Sequence, residues 1–201
     1  MIERKLLGEG DSFGLPDDKH NFNEWKLKFD KALKWAIDDV DDYLGELGFG
    51  LQLQIKTDYS FSGGKSKWLA AYCKREHDVT EDGVIMIALN YHQIWSKMNE
   101  LGIDDDSFNI EAQANITLWH EIGHALVDFF KNFKIDRYNS RRLIELKGKL
   151  NNLTKNKEEQ LVEEFGESWF PEGTGVWNSE LKNLIFDFVN IIDSIDSQFK
   201  R

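Results

Sequence analysis

The chain has 201 residues, 41% of them hydrophobic, with 7 Trp and 14 Phe, and a formal net charge of −11. That is ample apolar material for a sizeable core, and an acidic balance that disfavours general nucleic-acid binding. A single cysteine, Cys73, excludes an intramolecular disulfide framework and fits a reducing compartment.

Residues 1–21 read as an irregular lead-in, and Met1–Gly10 contains no apolar run of signal-peptide length. A helical stripe follows from Asn23 to Leu44, carried by Trp25, Phe29, Leu33, Ile37, Val40 and Leu44. Asn21 or Asn23 could cap it, and Gly45 could end it. Leu51 to Thr57 alternates apolar and polar residues, the pattern of a half-buried strand. Phe61-Ser62-Gly63-Gly64-Lys65-Ser66 is a turn. Its ending looks like a phosphate loop but lacks the first glycine at the required spacing, so no nucleotide site is expected.

Trp68–Arg75 predicts a second strand and Val84–Leu89 a third, with a short helix from Tyr91 to Leu101. Asp104-Asp105-Asp106-Ser107 lacks the alternating spacing, glycine and distal glutamate of a calcium loop, and suits the start of a helix over about 109–130. Helices near 140–153 and 156–169 come next, then a Pro171–Gly175 loop. The C-terminal helix, about 179–199, repeats Leu181, Leu184, Phe188, Ile191, Ile195 and Phe199 on one face. No stretch reaches the ~18 apolar residues of a membrane span, and a cytoplasmic protein is expected.

The helix over 109–130 carries His120-Glu121-Ile122-Gly123-His124, an H-E-x-x-H motif. Residues i and i+4 of a helix share a face, so both imidazoles can grip one Zn²⁺ from adjacent turns. Glu121 then lies beside the metal's water, as a general base. Ile116, Leu118, Ile122, Ala125, Leu126 and Phe129 are expected to face a core. Thr117, His120, Glu121, His124 and Asp128 are expected on the other side. The plainer alternative is an amphipathic helix that happens to carry two histidines.

A catalytic zinc needs a third protein ligand and leaves the fourth position to water. The remaining histidines, His20, His77 and His92, all lie upstream. Ala125-Leu126-Val127-Asp128-Phe129 excludes the extended motif that continues with a glycine and a third histidine. Downstream carboxylates concentrate in Glu158-Glu159-Gln160-Leu161-Val162-Glu163-Glu164-Phe165-Gly166-Glu167.

On these residues the chain resembles the gluzincin group of zincin metallopeptidases, whose third ligand is a glutamate on a later helix. The run Glu159…Val162…Phe165-Gly166 is similar to the E-x-x-A-x-x-F-A pattern of small ImmA/IrrE-type bacterial or mobile-element metallopeptidases. Val162 stands where that pattern has a small residue. The resemblance covers about residues 84–170. It implies a single zincin-like α+β domain over 1–201, its catalytic core at about 50–170, with a small mixed or antiparallel sheet packed on helices. It further implies a zinc-dependent peptidase in which His120, His124 and Glu159 hold the metal and Glu121 is the base. Glu163 is the alternative third ligand, or else the acid that orients a ligand imidazole. Val84–Leu89 is the expected edge strand for a peptide substrate. Tyr138 and His92 are available to stabilise an oxyanion but read as structural. The runner-up is a catalytically silent binding or regulatory protein of a phage or mobile element.

Charge is uneven. Lys131 to Lys157 holds nine basic residues against Asp136 and Glu145, a segment of +7 that leaves −18 elsewhere. It reads as a solvated helical hairpin or, more sharply, as a docking face for an acidic partner or substrate.

Overall fold

A computed structural model describes residues 5–6, 19–57, 59–60, 68–74, 79 and 82–199. His77 and the Phe61–Ser66 turn lie outside them, as does the side chain of His20. The fold is α+β and predominantly helical. In chain order the elements are β1 (Lys5–Leu6), α1 (Lys19–Leu47), β2 (Gln52–Lys56), β3 (Tyr59–Ser60), β4 (Ala70–Tyr72) and β5 (Val84–Leu89). Then come α2 (Tyr91–Glu100), α3 (Ser107–Asn132), a 3₁₀ turn (Asp136–Tyr138), α4 (Arg141–Asn151), α5 (Lys155–Glu167), the single turn α6 (Pro171–Thr174) and α7 (Glu180–Phe199). None of the described helices is long and apolar enough to cross a membrane.

α1 runs past both expected caps, which brings Phe22 into the core, stacked on His92 at 4.2 Å. It also runs through Gly45. The helix stops at Gly48, whose φ of +74° is the left-handed conformation that closes a helix end. The stripe Trp25, Phe29, Leu33, Val40, Leu44 is buried as expected, and Ile37 flanks it.

The larger sheet has the order β2-β5-β4, with β2 parallel and β4 antiparallel to β5. β5 is therefore the central strand, which corrects its expected place at the edge. The run Val-Ile-Met-Ile-Ala-Leu has no polar face to offer solvent, and a continuous apolar strand belongs where both faces are covered. The edge towards α3 is β4 instead.

α3 is the axis of the molecule, packed against α1, α5, α4, β4 and β5. Asp106 caps it, its carboxylate accepting from the Asn109 N–H at 2.7 Å, as the acidic tandem suggested. Burial wraps most of the helix: Leu118, Trp119, Ile122, Ala125 and Leu126 are inaccessible. Ile116 is not in the core. It is two turns before His124 on the histidine face, and lines the same cleft.

α5 lies antiparallel against α3 at backbone contact. A Cβ on Gly166 would sit 3.0 Å from both the His120 amide nitrogen and the Ile116 carbonyl oxygen. On the other partner, a Cβ on Gly123 would meet Val162 at 3.1 Å and Phe165 at 3.2 Å. The interface continues through the indoles of Trp119 and Trp169, stacked at 3.9 Å and 5°. α7 closes the far side. Its buried seam is Leu181, Ile185, Phe188 and Ile192, with Leu184, Ile191 and Ile195 flanking, so the expected stripe is rotated by part of a turn.

Gly166→Ala should destabilise the protein by about 1–3 kcal/mol, because the atoms it strikes are helix backbone and cannot swing aside. Gly148→Ala in α4, where a Cβ meets nothing within 4 Å, should instead stabilise by up to about 1 kcal/mol. Urea unfolding midpoints of the two variants check the pair.

Candidate metal centre

The α3–α5 contact decides where the site's side chains meet. His120 and His124 project from consecutive turns of α3, their rings 5.0 Å apart. Across from them Thr154 caps α5, its hydroxyl accepting from the Lys157 N–H at 3.3 Å, so Glu158 and Glu159 fall in the first turns of that helix. One oxygen of Glu159 lies 3.7 Å from His120 Nε2 and 3.5 Å from His124 Nε2. The three donor atoms lie within 4.8 Å of one another. Ligands of a tetrahedral zinc with bonds near 2.0–2.1 Å are about 3.3–3.4 Å apart, so two imidazoles and a carboxylate at these separations fit such an ion.

Glu163, the alternative ligand, lines the same cleft but has no contact with either imidazole within ion-pair distance among the described residues. The acid that touches one of the two rings is Glu158. Its Oε1 is 3.4 Å from His124 Nδ1, and its Oε2 accepts from Lys131 Nζ at 2.5 Å. Placing Glu163 in that role is corrected by helix direction. Because α5 runs antiparallel to α3, the four residues from Glu159 to Glu163 move about 6 Å back along α3, away from His124, and among the described residues Glu163 makes no ion-pair contact with His120.

Glu121 is half-buried beside the two imidazoles. Its Oε2 accepts from the backbone N–H of Tyr72 in β4 at 2.6 Å. Further along, the Tyr72 hydroxyl is 3.2 Å from Asp128, and Lys74 pairs with the same carboxylate. Asp128 also accepts from the Asn132 side chain at 3.0 Å, so this buried acid ties the edge strand to α3. Sequence reading placed Asp128 on the polar face without a partner. Tyr72 and Lys74 it does not single out, because nothing in the sequence says which strand abuts the motif helix; Glu158 it ranks below Glu159 and Glu163 as a third ligand, as pointing elsewhere on that helix. His92 and Tyr138 do not line the cleft, which has a volume of about 1020 Å³. His92 lies on Phe22, and Tyr138 is buried against Phe133.

The titrating groups are driven apart. Burial, reinforced by the neighbouring His124, lowers the His120 pKa to about 4. Burial also opposes charge on His124, but the hydrogen bond to Glu158 and the carboxylates of Glu121 and Glu159 outweigh it and raise the pKa. The same bond to His124, with help from Lys131, holds Glu158 down to about 2. Burial holds the Glu121 carboxyl above the usual carboxylate range, against the pull of His124 and the Tyr72 N–H. Comparison with protein-family models, curated proteins and solved structures found no match to this chain.

In protein stripped of metal, imidazole NMR titration should split the two histidines, with His120 protonating near pH 4 and His124 above its ordinary 6.5. Stability from neutral His120 is present above pH 6.5 and lost as pH falls through about 4. That from charged His124 is full below 6.5 and lost as pH rises through its raised value. Glu158→Gln should lower the His124 pKa. An unmoved titration would mean that the Glu158 contact does not govern it.

Proposed function

We propose that this chain is a zinc-dependent metallopeptidase of the zincin type, with His120, His124 and Glu159 as protein ligands and Glu121 as general base. The observation that carries the reading is the convergence of Glu159, from a separate helix, on the two motif histidines, with Glu121 beside them in one cleft. A zinc ion bound there would supply Lewis acidity, acidifying its water and polarising a peptide carbonyl.

The chain's own groups divide the remaining work. Glu158 accepts the His124 Nδ1–H, which leaves Nε2 as the donor atom facing the site and makes the ring more basic. The Tyr72 N–H fixes one oxygen of Glu121. A partly buried carboxyl whose pKa lies above the usual range is suited to take a proton from water and return it to the leaving amine. Among the described strands β4 is the edge that borders the cleft, where an extended peptide can add as a further strand. This is the role expected of Val84–Leu89, moved one strand outward.

Purified protein should hold one zinc per chain by elemental analysis, and His120→Ala or His124→Ala should abolish this. Glu159→Ala should weaken zinc far more than Glu158→Ala, which should cost the ~10–100-fold of a lost supporting bond. Glu163→Ala should cost less than either. A competition titration ranks them, and a larger loss in Glu163→Ala would transfer the ligand role.

Glu121→Gln should retain zinc and fold yet lose hydrolysis of any peptide the wild-type protein cleaves, since an amide cannot accept the proton. Equal cleavage by both proteins would refute the role of Glu121.

A further inference from the structure

The cleft is electrically polarised along its length. β4 runs in the same sense as α3: the Tyr72 N–H meets Glu121, and Lys74 meets Asp128, seven residues further along the helix. At that end the cleft is lined by Lys74, Lys131 and Lys155. Lys74 and Lys131 are committed to Asp128 and Glu158. Lys155 is exposed, and among the described residues it has no carboxylate within ion-pair distance. Two to three turns along α5 the other end is lined by Glu163 and Glu167, neither ion-paired among the described residues. Of the nine basic residues from Lys131 to Lys157, Lys131 and Lys155 face the cleft. Arg141, Arg142 and Lys157 are engaged by Glu145, Asp187 and Glu180 elsewhere.

The strand edge gives this polarity a direction. Leu69 O and Cys73 N bond towards β5, at 2.8 Å each, so by alternation the main chain of Ala70 and Tyr72 faces away from it. The Tyr72 N–H is taken by Glu121, leaving Ala70 as the pairing residue towards the cleft. Antiparallel pairing is the commoner way to extend a sheet. A peptide added antiparallel to β4 starts at the Lys74 end and leaves at the Glu163–Glu167 end.

We infer that the cleft selects an extended peptide with an acidic side chain before the reacting bond, bound by Lys155, and a basic side chain after it, bound by Glu163 and Glu167. The inference rests on the peptidase reading and adds the substrate class.

The test uses two short fluorescein-labelled peptides of identical composition. One carries its acidic residues first and its basic residues last, and the other has the reverse order, so net charge cannot discriminate them. Binding to zinc-loaded Glu121→Gln protein is read by anisotropy, and cleavage by the wild-type protein by mass spectrometry. The acidic-first peptide should bind about fivefold more tightly, the upper range for an exposed ion pair. The difference should shrink as salt is raised. Lys155→Glu, made in the same Glu121→Gln background, should abolish or invert the order preference. It keeps α5 intact, because a carboxylate is favourable in a helix's first turn, and Lys155→Ala should reduce the preference without inverting it.

Equal binding of both peptides, binding of neither, preference for the basic-first order, or a preference unmoved in Lys155→Glu would each overturn the inference. Cleavage without order preference overturns it while leaving the peptidase reading intact. An order preference in binding, with neither peptide cleaved, supports the polarity and counts against the peptidase reading.

Discussion

Everything at the site depends on how closely α5 can approach α3. Two glycines set that distance, one on each helix. Gly166 brings its backbone against the backbone of Ile116 and His120, and Gly123 makes room for Val162 and Phe165. Glu159 lies within about two turns of these contacts, so its carboxylate meets His120 and His124 without reaching. A helix pair held apart by ordinary side chains would sit about 8–10 Å between axes. With a glycine at each contact, at most one of the two helices places a side chain there, and an acid on the second helix is a neighbour of both imidazoles.

The same contact explains how a residue as large as Val162 fits between the two helices. A valine in place of a small residue would push two helices apart if the opposing position carried a side chain. Here the opposing position is Gly123, inside the motif itself, and the bulk of one helix is received by the gap in the other. The volume is conserved across the interface rather than at the single position.

Much of the architecture was legible, since it follows from periodicity and capping. The extents of β5 and α2 and the Asp106 cap follow from local pattern, and so do the apolar positions around His120. What escaped depends on non-local geometry. That β5 is central is implied by its unbroken apolar run, but the identity of the strand left at the edge depends on pairing. That Glu158, not Glu163, reaches His124 depends on the relative direction of two helices, which face arguments within one helix do not contain. Ile116 was assigned to the core because it is apolar, although its spacing to His120 and His124 puts it on their face. There the helical spacing, rather than the apolar character of the side chain, decides the face.

The stacked indoles of Trp119 and Trp169 have an optical consequence. Trp119 directly precedes the first histidine of the motif, and Trp169 lies just beyond the end of α5, so the stack spans the seam between the two helices. Parallel chromophores this near couple their excited states, and the coupling falls steeply with separation and tilt. The near-ultraviolet circular dichroism and tryptophan emission of the unlabelled protein therefore carry a built-in ruler. It reads whether α5 stays seated on α3 as ligands come and go.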